Sequence, residues 1–318
     1  MGRRGPGGEL CRRTDEVETQ SLRPAGRAAS RRAFLAAIGA AAVAPAMMPG
    51  RPSWAQPPAG RALPLENLGL EHLDILVPDP AASARFYARI FRTALHQQDV
   101  RGTLRYFVLL GDLPADRQVG YIAIGAAQGR PVAIGHYCAL ARVYDRAGVA
   151  RELAAAGFAA PQTGGFGMLP DPDGLELQLF QPPAGLVTAA TPSPLPVEGD
   201  GLVTPLGVDH VLLLVSDVGR SLPYYRLVYG TGAEGPRQAG PDRVWLRLER
   251  NTRIGLQRVP DGGAPRIDHF AIKVAAFDRA AVTARLRELG SEVLPSPDEP
   301  DVLRFLDDNK IVVELKVV

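Results

Sequence analysis

The chain has 318 residues, 36 Lys and Arg against 34 Asp and Glu, and 46% hydrophobic residues. That excludes a disordered, collagen-like or membrane-embedded protein and allows two domains, each large enough for its own core. Nine of the arginines fall in residues 1–55 against four acids there, so the remainder is slightly acidic and no nucleic-acid-binding surface is expected.

In chain order, the first feature is an address. Ser30-Arg31-Arg32-Ala33-Phe34-Leu35 is followed by an Ala-rich run to Met48 and then by Ser53-Trp54-Ala55. A paired Arg, a weakly apolar stretch and a small-x-Ala site read as a cleavable export signal. The run is too short to span ~30 Å of hydrocarbon, so no stable membrane span is expected. It resembles the twin-arginine signal, which implies the twin-arginine export machinery as a partner and a periplasmic or otherwise extracytoplasmic protein. Of the two cysteines, Cys11 lies in this leading segment and Cys138 beyond it. A mature chain would therefore carry neither an internal disulfide nor a thiolate metal cluster.

Beyond the signal region, 1–55, one unit occurs twice. Leu70 to Val77 reads as a strand carrying His72, followed by Asp79 as a helix cap and an amphipathic helix through Phe86-Tyr87. Gly207 to Val215 carries His210, followed by Asp217 and a helix through Tyr224-Tyr225. A shorter echo lies within each copy: His136 before a helix at 147–156 closed by Gly157, and His269 before a helix at 279–289 closed by Gly290. Alternating segments at 104–110, 119–124, 175–180, 243–248, 252–258, 302–306 and 311–317 read as strands. The reading is α+β, with four βαβββ modules in two pairs: one domain over 66–182, a Pro-rich linker over 183–204 and a second domain over 205–318.

Four of the five histidines, His72, His136, His210 and His269, fall at the same place in the four modules. Glu176 follows His72 by 104 positions, and Glu314 follows His210 by the same 104. A carboxylate in an apolar strand is costly unless a cation or donor satisfies it. Two imidazoles and one carboxylate, repeated in register, point to two metal sites: His72, His136 and Glu176, and His210, His269 and Glu314. Such a set leaves coordination positions open, suits Fe(II) best and can hold Mn(II) or Zn(II). Arg105, Tyr106, Arg243 and Trp245 are expected to line the clefts. Tyr87, Tyr137 and Tyr225 read as packing, and His96 as a surface residue at a turn.

The layout resembles the vicinal oxygen chelate superfamily, which includes glyoxalase I, bleomycin-binding proteins and type I extradiol dioxygenases. The pieces carrying the resemblance are the His-bearing first strands, the helices with Phe86-Tyr87 and Tyr224-Tyr225, and the Asp171-Pro172-Asp173-Gly174-Leu175-Glu176-Leu177 turn and strand. It implies two tandem domains, each of paired βαβββ modules forming a half-open barrel with a metal in the cleft. The glyoxalase pattern adds a fourth ligand, and neither 120–124 nor 253–257 supplies an acid. Three ligands are closer to the extradiol enzymes, which bind a catechol- or diol-like small molecule and normally keep metal in the second domain alone. Those enzymes also place a His upstream of the second ligand and a Tyr before the Glu, and here 254–258 has no His and Phe305 precedes Glu314. The alternatives are a glyoxalase-like lyase or isomerase and a protein that sequesters a small molecule without catalysis.

Overall fold

The computed structural model describes residues 63, 65–112, 119–159, 167–182, 189–230, 242–296 and 299–318. The segment read above as an export signal, 1–55, lies outside them. In the first half the elements are β1 (Asn67–Val77), α1 (Pro80–Ile90), β2 (Leu95–Val100), β3 (Thr103–Leu109), β4 (Tyr121–Ala126), β5 (Ala133–Ala141), α2 (Arg146–Ala155), β6 (Met168–Pro170) and β7 (Glu176–Phe180). The Pro-rich stretch contributes β8 (Thr191–Pro192). The second half holds β9 (Pro205–Val215), α3 (Val218–Tyr229), β10 (Arg243–Leu248), β11 (Thr252–Arg258), β12 (Arg266–Val274), α4 (Arg279–Glu288), β13 (Val293–Leu294), β14 (Leu303–Leu306) and β15 (Val312–Val317).

The helix signals act where the sequence puts them. Asp79 accepts from the Ala82 amide at 3.0 Å, Asp217 from Arg220 at 3.1 Å, and Asp278 from Ala280 and Ala281, each meeting donors that a first turn leaves open. Gly157 and Gly290 take φ of 81° and 74° just past α2 and α4, the left-handed region that glycine enters without steric cost.

The first sheet runs β6-β7-β5-β1-β4-β3-β2-β8 and the second β10-β11-β9-β12-β15-β14-β13. At the centre of each, the His-bearing strands pair antiparallel, β1 with β5 and β9 with β12. Each then lies parallel to the last strand of its own module: β1 with β4, β5 with β7, β9 with β11 and β12 with β15. A parallel pair needs a crossover, which α1 to α4 supply. Both sheets are open and not closed barrels, and the fold is α+β as the repeats imply. Two modules show three strands each among the described residues; 160–166 and 231–241 lie outside them.

One apolar core is shared by the two sheets, with Leu73, Ile75 and Ile122 of the first and Val211, Leu213 and Phe270 of the second in the same cluster. Alternation sends the intervening residues to the opposite faces, where Phe107, Tyr121 and Ala123 cluster in the first sheet and Leu212, Leu214 and Trp245 in the second. Tyr106 therefore belongs to the core and not to a cleft, because its neighbour Arg105 takes the cleft face. His96, expected at a surface turn, is buried in β2 opposite Phe107 and Pro192.

The halves are also joined reciprocally. Tyr87 of α1 donates to Asp307 Oδ2 at 2.8 Å, and Tyr225 of α3 donates to Asp171 Oδ2 at 2.9 Å. Ser83 adds a bond to Asp308 at 2.9 Å, while Asp173 accepts from Ser216 and Arg220. Each helix thus grips the turn before the last strand of the other half, so these tyrosines do more than pack.

Candidate metal centre

Each of the four strand histidines follows an extra residue in its strand. The β1–β5 register slips at Glu71 and at Gly135, and the β9–β12 register slips at Asp209 and at Asp268. A β-bulge re-aims side chains that strict alternation would separate. In three of the four, the bulged residue is an acid that holds the next imidazole: Glu71 Oε2 lies 2.9 Å from His72 Nδ1, Asp209 Oδ1 2.8 Å from His210 Nδ1 and Asp268 Oδ2 3.0 Å from His269 Nδ1. At the fourth the bulge is Gly135, and Asp74 Oδ2 stands 3.5 Å from His136 Nδ1 instead. The signal for these acids was visible as the Glu-His, Asp-His and Asp-His dipeptides, but alternation alone assigns them to the opposite face.

In the second sheet, His210, Ala271 and Glu314 lie in one row across β9, β12 and β15, and His269 sits two residues along β12 on the same face. Glu314 Oε2 is 3.4 Å from His210 Nε2 and Oε1 is 3.6 Å from His269 Nε2. One donor atom from each of the three lies within 4.8 Å of the others. Burial works to raise the Glu314 carboxyl, but the bond with His210 and the charges of His269 and Arg304 hold it below its usual range. Burial lowers His269, so its imidazole is neutral at neutral pH. With Nδ1–H donating to an acid, each Nε2 presents a lone pair to the same point, and a carboxylate supplies the charge. That donor set fits a divalent ion, including the orienting acids that metal-binding histidines require.

Trp245 covers this cluster edge-on to His210, with ring centroids 5.0 Å apart. Gly255 makes the arrangement feasible, since a Cβ there would lie 2.8 Å from the Trp245 ring and 2.5 Å from Leu212. Arg253 pairs with Asp209 at 2.9 Å and lies 4.8 Å above the Trp245 ring, and Arg243, Arg304, Glu299 and Ser296 also line the cleft.

The first sheet brings His72 and His136 together with Nε2 atoms 3.4 Å apart, but the third member is Gln178, whose Oε1 is 3.1 Å from His136 Nε2. Glu176 pairs with His136 along β7, two residues nearer the rim, and lines a separate pocket between the two sheets beside Gly135 and Asp268. It makes no ion pair with either histidine among the described residues. Gln178 pairs with Cys138 as Glu314 pairs with Ala271, so Gln178 and not Glu176 is the structural counterpart of Glu314. Arg105 is tied to Asp74 in this cluster and His72 stacks on Tyr121 at 4.3 Å.

Burial lowers His72 to about 3 and His136 to about 4, and raises Glu71 to about 8. Both imidazoles are therefore neutral at pH 7 and Glu71 keeps its proton. Glu71, His72 and Cys138 also gather within 4.8 Å, but burial pushes the Cys138 thiol up as well. The first cluster thus offers neutral donors where the second offers a carboxylate.

No family model matches the chain, and no curated protein resembles it in sequence. Solved structures do match. The halotolerant catechol dioxygenase BphC aligns at 15% identity with a TM-score of 0.57, covering 79% of this chain and 87% of that one. A catechol 2,3-dioxygenase aligns at 16% and 0.58, covering 80% and 89%. The 2,3-dioxygenase LapB from Pseudomonas sp. KL28 aligns at 14% and 0.55, covering 79% and 93%. The fold is that of tandem vicinal oxygen chelate domains. Identity at this level speaks for the fold, and the chemistry rests on the side chains described above.

Proposed function

We propose that this protein is a metal-dependent enzyme whose working centre is His210, His269 and Glu314, acting as an extradiol-type dioxygenase on a small vicinal-oxygen compound. The observation that carries the reading is the convergence of these three donors, each imidazole fixed by its own acid, in a fold shared with catechol dioxygenases. Fe(II) is the favoured ion, with Mn(II) or Zn(II) able to occupy the same donors. Such an ion supplies Lewis acidity and open positions for two adjacent oxygens.

The chain's own residues do the rest. Asp209 and Asp268 hold the Nδ1 edges of the two imidazoles, so the rings stay oriented with Nε2 toward the cluster. Trp245 and Leu212 give the cluster a dry flank, which strengthens every charge interaction inside it. Twin-arginine export of the folded, loaded protein is proposed with it, since folding before export lets Fe(II) or Mn(II) be chosen away from ions of higher affinity.

A glyoxalase-like lyase or isomerase is the second reading, favoured by Glu299, a further acid in the cleft lining. Metal analysis after anaerobic Fe(II) loading, joined to oxygen-electrode measurements on a set of catechols, separates the two. About one equivalent of iron, lost in Glu314→Ala, with O2 uptake matched to loss of the ring, is the expected result. Turnover without O2 uptake favours the lyase or isomerase, and a protein that takes up no divalent ion overturns both.

A further inference from the structure

We propose that Arg304, in a cleft that Arg243 also lines, selects diols that carry a second acidic group such as a ring carboxylate. The inference rests on the metal reading just given and adds the substrate class.

Arg304 lies directly across from Glu314 in the β14–β15 pair, with Nε 3.5 Å from Glu314 Oε1. Other ions around the cleft have separate partners: Lys316 holds Glu299 at 3.1 Å, Arg253 holds Asp209 at 2.9 Å and Arg266 holds Asp268 at 2.7 Å. Arg304 Nε is buried and has no hydrogen-bond partner among the described residues. Its one ion-pair partner among them is the carboxylate that a metal would also claim. A single carboxylate cannot neutralise a dication and a guanidinium together. A diol bound as its monoanion cancels one of the two remaining positive charges, and a carboxylate cancels the other. Arginine suits that task, because its planar fork meets a carboxylate with two parallel bonds. Its side chain keeps 29% of its surface open, so it is reachable from the cleft it lines. Arg243, 5.5 Å over Trp245, lines the same cleft.

The first sheet provides an internal comparison. There Gln178 pairs with Met168 as Glu314 pairs with Arg304, so at this pair of strand positions the guanidinium and the carboxylate are present together in the second half and absent together in the first.

The test is calorimetric titration of the Zn(II)-loaded protein with catechol, 2,3-dihydroxybenzoate and 3,4-dihydroxybenzoate, beside Arg304→Met and Arg304→Lys at saturating zinc. At least one acid should bind the parent tenfold or more tighter than catechol. The ratio should fall to near one in Arg304→Met and be partly kept in Arg304→Lys. A parent that binds catechol and zinc but prefers neither acid overturns the inference and leaves the metal reading standing. So does an Arg304→Met that weakens acid and catechol alike, the behaviour of a residue that merely balances Glu314. Failure to bind zinc, or to bind any of the three diols, removes the metal reading and the inference together.

Discussion

Gln178 occupies in the first sheet the place that Glu314 occupies in the second, each opposite the residue two positions beyond the second histidine of its pair. Each also follows by seven residues the aspartate that opens its turn, Asp171 or Asp307, whose amide bonds the carbonyl four residues on. One heavy atom of chemistry, a carboxamide for a carboxylate, separates the two clusters. Gln178→Glu should therefore raise bound divalent metal from about one to about two equivalents, read by elemental analysis after dialysis. A folded variant that stays at one would show that the buried surroundings of His72, not the missing charge, close the first cluster.

The acids on the bulges should matter to affinity more than to folding. Asp209→Ala and Asp268→Ala each remove the acceptor that fixes an imidazole. Each is expected to weaken metal binding about 10–100-fold, the usual cost of losing such a partner. Competition with a coloured chelator measures this, and unchanged affinity in both would remove the acids from the centre.

The helix-to-turn bonds predict a stability effect. Tyr87→Phe leaves Asp307 buried with one donor fewer, and Tyr225→Phe does the same to Asp171. About 1–3 kcal/mol should be lost in each case. Urea unfolding reads it, and losses below a few tenths would reduce both bonds to incidental contacts.

Burial raises Asp307 to about 6. A carboxyl raised in the folded state stabilises the fold while protonated, and that contribution disappears as the pH climbs through the folded value. Relative to Asp307→Asn, the parent should therefore be favoured at pH 4 and lose ground up to pH 7, by at most about 3 kcal/mol. A difference between parent and variant that is flat with pH would contradict this.

The repeat of His-bearing strands and capped helices was legible in the sequence because caps, glycines and alternation are local. The placement of Glu176 failed for a physical reason. Counting 104 positions from each first histidine runs through intervening loops whose lengths differ between the halves, whereas counting from the turn aspartate crosses none. Glu71, Asp209 and Asp268 were hidden by the same period of two that revealed the strands, since a bulge breaks it without changing composition. Tyr87 was assigned to packing because its partner lies 220 residues away, beyond any local pattern.

The grip of Tyr87 on the turn ahead of β15 ties the carboxylate donor to a helix from the opposite half. The half with the carboxamide therefore serves as a buttress for the half with the acid. Cutting the polypeptide between them would loosen the strand bearing Glu314, so the donor cluster proposed to work in one copy leans on the other.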